Sequence, residues 1–125
     1  MTHNLGNINS AIDSEIIHCD DMLTKTKHKF KKLLKHCSTN IWIYEQHYKQ
    51  NDLWHLKERL IEFDECVDSI SKALEFYIKL SDLFTHFRNC VDHNTYSRIQ
   101  KKVISIRNLL DTVNLEKIKF YRLIC

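Results

Sequence analysis

No proline interrupts these 125 residues, and the only glycine is Gly6. Hairpin turns, left-handed corners and phosphate-cradling loops are built from those two residue types. Their near absence removes β-sandwiches, small barrels, dinucleotide-binding folds and nucleotide-binding loops together. What remains is an all-α chain with few, short connections. The length fits one domain. With 43% apolar and 28% charged residues, the composition is that of a packed globular chain rather than a disordered or membrane-embedded one.

Hydrophobic spacing then places the helices. Ile12, Ile16, Cys19, Leu23, Thr26, Phe30, Leu33 and Cys37 follow one another at intervals of 4-3-4-3-4-3-4, the seam of a coiled-coil-like helix. Ser10 with Asp13 reads as its N-cap, after a lead at residues 1–7 expected to be disordered. Ser38-Thr39-Asn40 reads as a break, since these side chains compete for backbone hydrogen bonds. Residues 41–49 read as a short helix, with Ile41, Tyr44 and Tyr48 on one face. Asn51 or Asp52 is the expected cap of the next helix. A third, longest seam follows: Leu53, Leu56, Leu60, Phe63, Val67, Ile70, Leu74 and Tyr77. It continues through Leu80, Phe84, Phe87 and Val91 only with a three-residue stammer at Tyr77, or a kink at Ser81-Asp82. The last seam is Tyr96, Ile99, Val103, Ile106, Leu110 and Val113, drifting to Ile118, Tyr121 and Cys125.

The expected fold is therefore an elongated antiparallel bundle of three long heptad-patterned helices plus one short one. The helices lie at about 10–37, 41–49, 53–91 and 96–124, in one domain spanning 8–125. Ile17, Met22, Leu34, Ile61, Leu83, Ile104, Leu109, Leu115 and Leu123 are apolar but off the seams. A second apolar stripe of this kind calls for two neighbours or a partner chain. The expected partner-binding residues are those of the long seam: Leu60, Phe63, Val67, Ile70, Leu74, Tyr77, Phe84 and Phe87. The expected partners are other helical subunits.

Net charge is only +3, but it is zoned. Residues 11–22 carry Asp13, Glu15, Asp20 and Asp21 with no Lys or Arg, whereas 25–35 carry Lys25, Lys27, Lys29, Lys31, Lys32 and Lys35 with no acid. These lysines lie off the seam and form a basic face. Its ordinary role is solubility. It could also meet an anionic partner, or dock on the acidic stretch Glu58–Asp68 of the same chain. The stretch has no arginine to make bidentate forks, which weighs against nucleic acid.

Chemistry-bearing patterns are sparse. Asp82, His86, Cys90 and His93 are spaced 4, 4 and 3 apart and would share one stripe if the long helix continued through them. His86, Cys90 and His93 are the candidate metal ligands; the ordinary reading is a solvated polar stripe. No Ser, Cys or His nucleophile motif occurs, so no enzymatic activity and no cofactor are expected. Five cysteines without a CxxC pair, no signal-peptide pattern and no long apolar run give the expectation of a reduced intracellular compartment, cytoplasm or nucleus, without a membrane span. The expected function is that of a non-enzymatic helical subunit or scaffold of a coiled-coil assembly, of the build used in cytoskeletal complexes. The alternatives are a compact helical binding module of viral or host-directed type, and a basic-face nucleic-acid binder.

Overall fold

The computed structural model describes residues 2–50, 53–87 and 92–124, with side chains from residue 11 to residue 122 within them. Among the described residues four helices follow one another: α1 (Thr2–Thr39), α2 (Ile41–Lys49), α3 (Trp54–His86) and α4 (His93–Ile124). The chain is all-α, as the missing turn residues demand. α1 is helical from Thr2 rather than from about residue 10, so Ser10 lies inside the helix and does not cap it. One glycine costs a helix only about 1 kcal/mol, and nothing else in the lead breaks the backbone pattern. Asn51 and Asp52, the expected caps of the long helix, lie outside the described residues.

α1 ends where three cap-forming residues stand together. The Asn40 backbone carbonyl accepts from the amides of Ile43 and Tyr44 at 3.0 and 3.1 Å, and its side-chain amide donates to the His36 carbonyl at 2.9 Å. One residue thus closes α1 and opens α2. In α2 only Tyr44 is buried. Ile41 and Tyr48, expected on the same face, are exposed, because the covered side runs through Asn40, Ile43, Tyr44 and His47.

The seam of α1 is buried or half-buried at every expected position. In α3 the innermost row differs from the expected one. Leu56, Phe63, Cys66, Ile70, Ala73, Tyr77 and Leu80 are the buried residues, whereas Leu60, Val67 and Leu74 are half-buried. Placing Leu56, Phe63, Ile70, Tyr77 and Phe84 in one row and Arg59, Cys66, Ala73, Leu80 and Phe87 in the other gives an unbroken 3-4 heptad. No stammer is needed, and the helix runs through Ser81-Asp82. The expected seam mixed the inner row with its flank, because Cys66 and Ala73 are small and Arg59 is charged. α4 corrects in the same way. Its seam does not drift to Ile118 and Tyr121, which are exposed. It keeps register through Lys117 to Phe120, which is buried.

Pairwise contacts fix the arrangement. Asp20 meets Tyr77 and Lys29 meets Glu65, so α1 and α3 are antiparallel. Asp64 meets Lys117, Ser81 meets Gln100 and Thr85 meets Tyr96, so α3 and α4 are antiparallel as well. α1 and α4 therefore run parallel, and Asp20 pairs with Lys102 at 3.3 Å between them. α2 closes the end where α1 stops. Tyr44 packs edge-on against Phe120 with ring centroids 5.4 Å apart, and Phe120 lies 5.8 Å from Phe63. The three long helices enclose one core about 50 Å long, at ~1.5 Å per residue.

Candidate functional site

Most of the residues expected to bind a partner are wholly or partly covered within the chain itself. Phe63, Ile70 and Tyr77 are buried beneath α1 and α4. Leu60, Val67 and Leu74 sit on the flank of α3 that also carries Ser81, which Gln100 of α4 bonds. They are half-buried against the same core, as is Phe84. Of the eight, only Phe87 is exposed. The long seam is an internal one, because antiparallel α1 and α4 supply both neighbours that its wide apolar face requires.

The open surface lies elsewhere, between α1 and α4. The two parallel helices each pack on α3 and meet each other only lightly, so a groove runs between them above the buried side chains of α3. Two clefts result on this one side. The first, of about 510 Å³, lies between the N-terminal halves and is walled by Ile12, Ile16 and Asp20 of α1 and by Arg98, Ile99 and Lys102 of α4, with Tyr77 and Phe84 below. The second, of about 550 Å³, lies near the α2 end and is lined by Leu34, Lys35, Cys37, Ile41, Phe63, Glu116, Lys119 and Phe120.

In the first cleft α1 and α4 are pinned by a polar junction. The Tyr77 hydroxyl donates to Asp20 Oδ1 at 2.6 Å, and Lys102 Nζ approaches the same oxygen at 3.3 Å while lying 5.9 Å from the Tyr77 ring centroid. Burial, then the hydrogen bond to Asp20, pushes the Tyr77 phenol well above its usual value. Burial also raises the thiols of Cys19, Cys66 and Cys37, the last to about 11. All three are free thiols.

These shifts set an alkaline limit. In the unfolded chain Cys37 ionises near its ordinary value of 9.0, whereas in the fold it holds its proton to about 11. The folded-state pKa is the higher one, so this contribution to stability is complete below pH 9 and is lost as pH climbs from 9 towards 11. Tyr44, Tyr77, Cys19 and Cys66 are shifted in the same direction. Urea midpoints measured at about pH 8 and about pH 10.5 should therefore fall steeply, and less so in Cys37→Val. Equal midpoints at the two pH values would contradict the buried placement of these groups.

The basic face is present as a row of exposed side chains. Lys25, Lys27, Lys29, Lys31, Lys32 and Lys35 all face solvent. One of them, Lys29, reaches the acidic stretch of α3, at Glu65. Among the described residues no carboxylate stands within ion-pair distance of the other five. The other acids of the stretch Glu58–Asp68 are engaged elsewhere: Glu58 and Glu62 flank Arg59, Asp64 meets Lys117, and Asp68 pairs with Lys72.

The proposed metal stripe does not form on one helix. α3 ends at His86, Phe87 stands in a turn and His93 opens α4; Cys90 lies outside the described residues. Among the described residues no three His, Cys, Asp or Glu side chains gather in a metal-binding group, and no helix is long and apolar enough to cross a membrane. No protein-family model, curated protein or solved structure matches the chain.

Phe63, Tyr77 and Phe84 of the expected partner-binding set lie at the base of these clefts and Lys35 of the basic face on a rim, but sequence reasoning missed the α1–α4 pairing that forms them. The cleft walls combine seam residues such as Ile12, Ile16 and Ile99 with flanking positions such as Asp20, Leu34, Lys102 and Glu116, whose role depends on which helix stands next to which. The opposed charge zones, acidic at 11–22 and basic at Arg98 to Lys102, were the available signal, since they meet at the Asp20–Lys102 pair.

Proposed function

We propose that this chain is a non-enzymatic helical subunit of an intracellular coiled-coil assembly, and that it meets its neighbours through the α1–α4 side. The observation that carries the reading is the pair of clefts on that side. A bundle of three long helices with a groove along one side has the seat of a fourth, and a helix from another chain is the element that fits such a groove. The buried free thiols of Cys19, Cys37 and Cys66 are in keeping with a reducing compartment.

The test is co-purification of the tagged full chain from its source cells after mild cross-linking. A helical protein in fixed stoichiometry should accompany the parent and the Lys57→Asp variant. It should be lost from Ile41→Asp/Arg98→Glu, which alters one exposed residue in each cleft. Melting curves of all three should agree, since exposed substitutions cost under about 0.5 kcal/mol each. A chain that sediments as a monomer and carries no stoichiometric companion would refute the reading. The complete internal core favours one neighbouring reading, a compact module that uses the same groove but releases its ligand. Exchange of the companion within minutes of dilution would identify that case.

A further inference from the structure

We infer that the second cleft, between the C-terminal halves of α1 and α4, is a docking site for an acidic amphipathic helix of a partner protein. This rests on the proposed interaction role and adds the chemistry of the partner.

The cleft has an apolar floor and a basic rim. Leu34 and Ile41 line its accessible part, above the buried rings of Phe63 and Phe120, in a volume of about 550 Å³. Lys35 stands on the α1 rim. Lys31 and Lys27 precede it at intervals of four residues, so the three form one row along the helix, about 6 Å apart. All three are exposed, and none has a carboxylate within ion-pair distance among the described residues. On the opposite rim Lys119 lies 3.2 Å from Glu116, so that wall is nearly neutral and the net charge around the cleft is positive.

The row works against its own helix. Like charges four residues apart are destabilising, and solubility alone is served as well by mixed signs. A carboxylate row on an incoming helix has the same spacing and would relieve the repulsion. Its apolar stripe would enter the cleft, the ordinary division of labour when a helix lies in a groove. Phosphate-backbone binding would make no use of the apolar floor, and a flat lipid surface would not fill a recess.

The test selects ligands from a displayed library of helical peptides of about 18 residues, about 27 Å of helix, against the full-length chain. Winners should carry Asp or Glu beside a Leu- or Ile-rich stripe. Lys31→Glu/Lys35→Glu should weaken their binding about tenfold or more, and peptides with the acids changed to Lys should recover it. Lys57→Glu should leave binding unchanged. Single-stranded DNA and anionic vesicles are assayed in parallel. The inference is overturned if no peptide is selected, if winners are neutral or basic, or if the double variant binds them as the parent does. It is overturned equally if DNA or vesicles bind more tightly than any peptide and lose binding in the double variant. Groove-dependent co-purification of a companion lacking such an acidic helix would sink this inference and leave the interaction role standing.

Discussion

Ile70→Asp should unfold the chain. Ile70 is 0% exposed and lies in the inner row of α3 between Phe63 and Tyr77. An ionised carboxylate there has no partner and no water, at a cost of several kcal/mol. A domain held by about 5–15 kcal/mol has little left after such a loss. Val67→Asp and Leu74→Asp place the same charge on half-buried flanks, where the side chain can reach solvent, and should cost about 1–3 kcal/mol. Lys57→Asp, on the outside, should cost under about 0.5 kcal/mol. Urea denaturation followed by far-ultraviolet circular dichroism ranks the four. If Val67→Asp proves worse than Ile70→Asp, the inner row is the Leu60–Val67–Leu74 seam after all.

Phe120→Ala should cost about 3–5 kcal/mol, the range for deleting a buried aromatic side chain. Phe120 is 4% exposed and joins three helices, touching Tyr44 of α2 and Phe63 of α3. Its loss opens a cavity under α2, so the near-ultraviolet signal of the aromatic cluster should fade before the helix signal does. Ile118→Ala, two residues away and 47% exposed, should cost under about 1 kcal/mol. A larger loss from Ile118 than from Phe120 would restore the drifting register that spacing alone suggests for the end of α4.

The contrast between these positions shows where the sequence was legible. The spacing 4-3-4-3 marked the covered face of α1 correctly, though not its start, because apart from Thr26 its seam residues are of types that fill a core. α3 was read half a step to one side. Cys66 and Ala73 are too small to stand out, and Arg59 occupies an inner-row position with a charged group. Its guanidinium reaches out to Glu58 and Glu62 at 3.3 and 3.5 Å while the side chain remains only 20% exposed, so its aliphatic part fills a core position. The large flank residues Leu60, Val67 and Leu74 looked more core-like than the inner row. Lys117 played the same part in α4, hiding the step from Val113 to Phe120. Helix existence and the basic row were legible because they depend on residue type and local spacing. The clefts were not, because their walls are set by the parallel pairing of α1 with α4, a relation between residues about 80 positions apart such as Asp20 and Lys102.

That parallel pairing has a mechanical consequence. With three long helices, an odd number, residue 11 lies towards the α3–α4 turn and residue 122 beside α2, at opposite ends of the bundle. A force drawn between those two points runs along the helix axes. α1 and α4 would then be dragged past α3 in shear. In that geometry the rows built on Phe30, Ile70 and Val113 must give way together, as whole ladders of interlocked side chains. A bundle with an even number of long helices brings both attachment points to one end, where the same force peels the helices apart one turn at a time. Loaded between those points the bundle would resist along its length, and its weak direction is across it, at the lightly joined edges of α1 and α4.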